Sequence, residues 1–421
     1  MMLSLYNIAV TLATPLVALW LILDTRRRPL LARFRPHHPN FHAPPLWVHA
    51  CSVGELTTAR PIIKALYHRY PNTPILLTVS TPTAKKLAGE MDLPAKLTWF
   101  PFDNPLVVRR FISHLRPKIL ILIETELWPS IIAQTHASGA PILLVNGRLS
   151  DAHISSYQKF SPIFRPTIQR ITAAGMQNQA YADRLQSLGA TADRLTITGN
   201  IKFDSAPARL SDGERATMRA ALQIEPNAPV LVFGSTRPGD EALAAQCWRD
   251  LKPQVPGLVL IVAPRHLERL AEARQPFHDA PLFMRSQYDS EASKAPQDGR
   301  VIFLDTHGEL SRIYAIANIA IVGGSFYPGV DGHNPIEPAA QGVPTLFGPY
   351  MRNFQDPANA LLESGGALQV DAPEDLSGRL ESLLTDADAQ TRLGENAIQC
   401  VQANQGALQR TLALIENALS P

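Results

Sequence analysis

The chain has 421 residues, 45% hydrophobic and 18% charged, with a formal net charge of +2. That length suits about two or three domains, and the composition argues against collagenous, coiled or largely disordered chains. The near-neutral balance argues against bulk nucleic-acid binding. Three widely spaced cysteines, Cys51, Cys247 and Cys400, argue against a disulfide framework or zinc site and fit a reducing compartment.

Residues 1 to 23 carry no charged side chain. The apolar run Leu3 to Leu23 spans roughly 31 Å as a helix, enough to cross a hydrocarbon core. Arg26, Arg27, Arg28, Arg33 and Arg35 follow it, with no acid between residues 25 and 39. A signal peptide has the opposite order, with positive charge first. The positive-inside rule then places the N-terminus outside and everything from Arg26 onward in the cytoplasm. The arginines can also hold anionic headgroups. Residues 1–24 therefore read as a single-pass anchor. Interfacial insertion and a buried globular helix are the alternatives.

From Leu46 onward, short continuous apolar runs alternate with amphipathic stretches, the pattern of a parallel sheet covered on both faces. Strands are expected at Leu46–Ala50, Ile75–Ser80, Leu97–Phe102, Ile119–Glu124, Pro141–Asn146, Ile171–Met176 and Leu195–Thr198. Helices fall between them at Leu56–Tyr70, Pro82–Met91, Asn104–Leu115, Pro129–Ser138 and Gln179–Leu188. Ser205–Asn227 reads as a linker with one helix. The rhythm restarts with strands Val230–Gly234, Leu258–Ala263, Val301–Leu304, Ile319–Val322 and Thr345–Phe347. Helices are expected at Asp240–Leu251, Leu267–Arg274, Gly308–Ala317 and Pro335–Gln341. Ser286–Gly299 reads as a surface loop, and Gln390 to Leu419 as one long helix. Two Rossmann-like sheets facing across a cleft follow, with ligands at the carboxyl ends of the strands.

Candidate chemistry lies at those ends. Glu55 follows the first strand in His49-Ala50-Cys51-Ser52-Val53-Gly54-Glu55. There Gly54 would allow a tight turn, and a helix N-terminus would keep the carboxylate ionised and fit to take a proton. A capping role explains Glu55 equally well. Glu124 and Glu126 end the very apolar strand Ile119–Ile123. A buried carboxylate there is costly unless paired or solvated, and period-two spacing would put both on one side. Lys202, in Gly199-Asn200-Ile201-Lys202-Phe203-Asp204, is a cation for a phosphate or carboxylate, or a plain linker lysine.

In the second half, Arg265 and His266 follow Pro264, and an arginine fork suits phosphate. A pair with Glu268 is the simpler reading. The glycines of Gly323-Gly324-Ser325 could let backbone N–H groups approach an anion. In Gly332-His333-Asn334-Pro335-Ile336-Glu337, Asn334 fits an N-cap and Pro335 the first helical position. That N-terminus can hold phosphate, and Glu337 a ribose. Asp386-Ala387-Asp388 resembles a metal-binding DxD but reads better as a helix cap, and no metal is required.

These motifs together resemble the Kdo transferases, which move 3-deoxy-D-manno-octulosonic acid (Kdo) from CMP-Kdo to lipid A precursor. The resemblance is carried by His49–Glu55, Glu124–Pro129, Asn146–Ser150, Gly199–Asp204, Pro264–His266 and Gly323–Glu337. It implies an α/β fold of GT-B type, with two Rossmann-like domains behind one transmembrane helix. Residues 25–205 would bind the acceptor and residues 206–400 the CMP-sugar, while residues 401–421 would cross back to the first domain. It implies Glu55 as general base, with Glu124 and Lys202 stabilising the transition state. It assigns Pro264, Arg265, His307, Gly308, Glu309, Asn334, Pro335, Ile336 and Glu337 to the CMP site, with Gly323, Gly324 and Ser325 as a further donor loop. The partners would be CMP-Kdo, lipid A precursor and the bacterial inner membrane, without cofactor, metal or nucleic acid. Arg237 and Asp331 depart from the pattern, which has His and Gly there. The rival readings are another nucleotide-sugar enzyme, such as a UDP-sugar transferase or 2-epimerase, and a non-catalytic membrane-anchored binding protein.

Overall fold

A computed structural model describes residues 2–289 and 299–420. It divides into two units, Met1–Asp204 with Gln405–Pro421, and Ser205–Asn404. Of the expected loop Ser286–Gly299, residues 290–298 lie outside the described residues.

The first unit holds strands β1 (Leu46–His49), β2 (Ile75–Val79), β3 (Lys96–Trp99), β4 (Ile119–Ile123), β5 (Ile142–Gly147), β6 (Ala173–Met176) and β7 (Leu195–Ile197). They form a parallel sheet in the order β3-β2-β1-β4-β5-β6-β7. The continuous apolar runs now have a cause. Leu46, Val48, Ile119, Ile121 and Ile123 enter one core, while Trp47, Leu120 and Leu122 enter the other. Alternate side chains leave opposite faces of a strand, so a sheet covered on both faces needs an apolar residue at every position. Each fully buried Leu or Ile contributes about 1.5–3 kcal/mol. The strand order reverses between β1 and β4, and polar groups at their carboxyl ends gather at this switch point.

The second unit holds β8 (Val230–Thr236), β9 (Val259–Pro264), β10 (Leu282–Met284), β11 (Arg300–Phe303), β12 (Ile319–Val322), β13 (Thr345–Phe347) and β14 (Ala367–Gln369). Their order is β10-β11-β9-β8-β12-β13-β14, again parallel. The switch point here falls between β8 and β12.

Several elements were not expected from sequence: β10, β14, and helices Asp151–Lys159, Ser161–Ile168, Gln355–Glu363 and Leu376–Leu384. The two strands are three residues long and only partly buried, too short to show a period. The long C-terminal helix is two, Ala387–Asn404 and Ala407–Leu419. Gly406 breaks it at φ +83°, a left-handed conformation that a side chain resists. The last helix packs Ala407, Leu412 and Ile415 into the first unit's core. Asp204 caps it, accepting from Gly406 N–H at 2.6 Å and Leu408 N–H at 2.5 Å.

The N-terminal helix α1 (Met2–Leu23) is, among the described residues, the helix long and apolar enough to cross a membrane. It also docks on the first unit. Tyr6 donates to Asp103 Oδ2 (2.8 Å), Ser130 to Asn7 Oδ1 (2.8 Å), and Asn104 Nδ2 to Thr14 Oγ1 (2.9 Å). Its other side leaves Leu5, Ile8, Leu12, Leu16, Leu19 and Leu23 exposed.

Candidate active site

At the first switch point, Ser52 caps helix α2 (Val53–Arg69) and Glu55 sits in its first turn. Glu55 N–H donates to Ser52 Oγ at 3.3 Å; in return the Glu55 carboxyl accepts from Cys51 N–H (2.8 Å) and the Ser52 hydroxyl (3.1 Å). Glu55 is thus a capping residue as well as a candidate base. Gly54 lies inside the helix, without the positive φ of a tight turn.

The charge state of Glu55 also differs from expectation. Its side chain is buried, and burial first, then Glu126 and Glu124, raise its pKa well above the carboxylate range. Burial and the two neighbouring acids outweigh the two hydrogen bonds donated by Cys51 and Ser52. The carboxyl rests protonated near neutral pH, and once ionised it is a strong base.

Glu124 and Glu126 do not continue β4 as a same-side pair. The strand ends at Ile123, and Glu124 turns to φ +59° while its N–H donates to Val145 O (2.9 Å). A left-handed Glu costs about 1–2 kcal/mol, a strain typical of functional positions. Glu126 has partners of its own. Trp128 Nε1 donates to its Oε2 at 2.6 Å, and His49 Nε2 lies 3.4 Å from the same oxygen without good hydrogen-bond alignment. Burial pushes Glu126 up, but His49, Trp128 and Arg33 together hold it below its ordinary value.

Ligand atoms of Cys51, Glu55 and Glu126 all lie within 4.8 Å of one another. Burial, then Glu126 and Glu55, push the Cys51 thiol up to about 12. With Glu55 also neutral, Glu126 is the stable anion of this set, and the three groups are close enough to share protons.

Lys202 lies in a 3-10 turn, Ile201–Ser205, after β7. Its N–H donates to Asn200 Oδ1 (3.0 Å), Asn200 Nδ2 to Gln177 Oε1 (2.9 Å), and Gln177 Nε2 to Asn146 O (3.0 Å). Asn146 Oδ1 accepts from Ile201 N–H (2.9 Å). Gln177 and Asn200 thus tie together the ends of three strands. Sequence reading passed over Gln177 because a lone glutamine carries no pattern.

At the second switch point, Asp240 accepts from Arg237 N–H (2.8 Å) and Gly324 N–H (2.6 Å). Gly323 N–H donates to Gly234 O at 2.8 Å. The backbone donors of Gly323 and Gly324 are therefore both taken up within the fold. Gly323 is needed for close approach, since a Cβ there would stand 2.6 Å from Ser235 O. Ser325 is fully buried and structural, with its hydroxyl bonded to Val322 O (2.5 Å) and Gly348 N–H (2.9 Å).

Arg265 follows Pro264 at the end of β9. Its exposed guanidinium makes no ion pair among the described residues; His266, not Arg265, contacts Glu268, at 3.2 Å. Arg237 Nε donates to His333 Nε2 at 3.3 Å. Burial, then Arg237, Arg265 and His266, depress His333 to about 4, so it stays neutral. Asn334 caps the short helix Ile336–Ala340 as expected: its Oδ1 accepts from Ile336 N–H at 3.1 Å, and Pro335, at φ −80° and ψ −11°, already has helical backbone. Asn334 Nδ2 also donates to Glu337 Oε1 (3.2 Å), a carboxyl that burial raises. In the His307-Gly308-Glu309 turn, the Glu309 carboxylate is held by Thr306 (2.6 Å) and Arg285 (3.2 Å). The two departures from the family pattern have local partners: Arg237 on His333, and Asp331 on Arg352 at 2.7 Å. Asp386 caps the following helix through Ala389 N–H at 2.8 Å, as a capping reading requires.

Two parallel α/β units, each with its polar residues gathered at a switch point, make up a fold of the GT-B class. A family model described as 3-deoxy-D-manno-octulosonic-acid transferase (kdotransferase) matches residues 26–205. The 3-deoxy-D-manno-octulosonic acid transferase of Haemophilus influenzae is 31% identical over 95% of this chain and 94% of its own length. That of Bordetella pertussis is 32% identical over 98% and 99%. A solved structure, the UDP-GlcNAc 2-epimerase of Neisseria meningitidis bound to UDP-GlcNAc, superposes with a TM-score of 0.55 over 89% of this chain and 100% of its own. At 12% identity that likeness speaks for the fold alone. The chain belongs to the 3-deoxy-D-manno-octulosonic acid transferase family.

Proposed function

We propose that the chain transfers Kdo from CMP-Kdo to a lipid A precursor with inversion, using Glu55 as the general base. The observation that carries this reading is the Glu55 carboxyl, buried beside two further acids at the switch point of the first unit. In its ionised form Glu55 takes the proton of an acceptor sugar hydroxyl. The hydroxyl oxygen bonds to the anomeric carbon of Kdo as the bond to the CMP phosphate breaks, and CMP leaves with the electron pair. Glu124 and Lys202 stabilise the charge that develops. The first unit binds the acceptor and the second unit the donor.

On the donor side, Arg265 is the anion-binding group this reading favours, since it is exposed and makes no ion pair among the described residues. Neutral His333, Asn334 and Glu337 offer directional hydrogen bonds to the nucleotide, and Pro264, Ile336 and the His307-Gly308-Glu309 turn complete the CMP site. No step requires a metal. Mass spectrometry of products from CMP-Kdo and a tetraacylated lipid A precursor tests this reading. A gain of one or more Kdo units is expected, and no gain would overturn it. Calorimetry with CMP and UDP separates a CMP enzyme from a UDP-sugar enzyme of the same fold.

The exposed apolar side of α1 supports attachment to the inner membrane, with both units on the cytoplasmic face. The first unit also has a groove of about 540 Å³ lined by Arg35, His37, His38, Leu106, Val107 and Arg110. That mixture suits lipid chains and anionic headgroups. Because Tyr6, Asn7 and Thr14 are bonded to the first unit, α1 enters lipid by its exposed side. A full crossing would require those three hydrogen bonds to break.

A further inference from the structure

Glu126 stands beside the proposed base with no task yet in the transfer, although its surroundings are more elaborate than a loop carboxylate needs. Trp128 Nε1 donates to its Oε2 at 2.6 Å. Across from that oxygen, at 3.4 Å, is Nε2 of His49. The His49 side chain is completely buried, stacked on Phe100 with ring centroids 3.5 Å apart, and its Nε2 has no aligned hydrogen-bond partner. A buried nitrogen left this way calls for an explanation.

The other ring nitrogen supplies part of it. His49 Nδ1 lies 3.0 Å from Thr78 O and 3.2 Å from Thr78 Oγ1. Thr78 Oγ1 accepts from Trp47 Nε1 (2.8 Å) and has the Val48 carbonyl at 3.4 Å for its own hydrogen. The Thr78 carbonyl can only accept, so Nδ1 carries the N–H of neutral His49 and donates to it, which leaves Nε2 without a hydrogen for Glu126.

We propose that Glu126 is a positioning residue for the transfer: a half-buried anion, fixed by Trp128 and faced by His49, whose charge beside Glu55 makes that carboxylate a stronger base. This rests on Glu55 being the base. Glu126 is faced by His49 from β1, Arg33 from the segment after α1, Cys51 and Glu55 from the β1–α2 junction, and Tyr157 from helix Asp151–Lys159. A carboxylate oxygen of Glu55 lies within 4.8 Å of one of Glu126 and of Cys51 Sγ, and Glu124 also faces it. With both carboxylates ionised the pair carries two negative charges. When the acceptor's proton reaches Glu55, one is cancelled and the repulsion is relieved. That relief belongs to the transition state and not to the bound substrate, so it accelerates the step.

The test is the pH profile of kcat/KM for wild type, Glu126→Gln, Glu126→Asp and Glu55→Gln, with folding followed by circular dichroism. Glu126→Gln keeps an oxygen for Trp128 but removes the charge. Its acid limb should move down by about one pH unit or more, with a plateau about tenfold lower. Glu126→Asp keeps the charge and should leave the limb near its wild-type position. An unmoved limb in folded Glu126→Gln, whatever the rate, would overturn the proposal. Should Glu126→Gln fail to fold, infrared spectroscopy of wild type decides. A protonated-carboxyl band lost in Glu55→Gln should persist above about pH 7, well beyond the ordinary Glu value. Its loss together with ordinary carboxylates would overturn the proposal. A wild-type rate in Glu55→Gln would instead defeat the underlying assignment of the base.

Discussion

The Tyr6 hydroxyl donates to Asp103 Oδ2 at 2.8 Å, and the same carboxylate accepts Ser130 N–H (3.0 Å) and Ile131 N–H (2.8 Å). Asp103 therefore joins α1 to the start of helix Pro129–Ala137, directly after the Glu124–Trp128 segment. Tyr6→Phe leaves the two backbone bonds and removes the tie to α1, at a cost of about 1 kcal/mol. The expected result is faster tryptic cleavage at Arg26–Arg28, with activity on membrane-bound acceptor reduced more than on dispersed acceptor. Unchanged digestion would show that this bond does not hold α1 in place.

Arg265 is exposed and makes no ion pair among the described residues, so removing it breaks no salt bridge there. Arg265→Gln should preserve the melting temperature and weaken CMP binding about tenfold or more, the scale of a charge-assisted hydrogen bond. Calorimetry measures both halves of this prediction. A variant that binds CMP normally would remove Arg265 from the donor site.

The raised pKa of Glu55 has a consequence for stability. The fold favours its neutral form, so its contribution is fully present below the unfolded value of about 4.3. It is lost as pH rises through the raised folded value. Glu55→Gln cannot ionise and should gain stability over wild type progressively as pH rises. Each kcal/mol appears as about 2–4 °C in Tm for a unit of this size. Melts of the two proteins that stay parallel from acid to alkaline pH would contradict the buried acid pair.

Asp204 receives two backbone N–H groups at the start of the last helix, which returns to the first unit's core. Asp204→Ala should cost about 1–2 kcal/mol, the loss of a helix cap. Hydrogen exchange should show the loss first in Ala407–Leu419, with the second unit's sheet protected as before.

Much of the scaffold was legible because both sheets are buried on both faces, which writes strands such as Ile119–Ile123, Ile319–Val322 and Thr345–Phe347 as unbroken apolar runs. Helix Asp240–Leu251 was equally plain, with its acids in the first turn. Short edge strands such as Ala367–Gln369 left no such trace, and the turn at Gly406 was lost inside a continuous helical pattern. The acids of the site were visible at strand ends, but their electrostatics were not. The charge on Glu55 depends on its burial and then on how near Glu126 and Glu124 come, and the state of Glu126 depends on His49 and Trp128, contacts made only by folding. The Gly323-Gly324 loop shows the converse: its glycines were plain to see, but Asp240, far earlier in the chain, had already taken one of its N–H groups.

The central claim is that Glu55 takes the acceptor's proton, and single-turnover transfer by Glu55→Ala tests it most directly. General-base assistance is worth roughly 10²–10⁴-fold. The variant should lose at least about a hundredfold in rate while binding CMP as wild type does. A folded Glu55→Ala that transfers Kdo at the wild-type rate would contradict the claim.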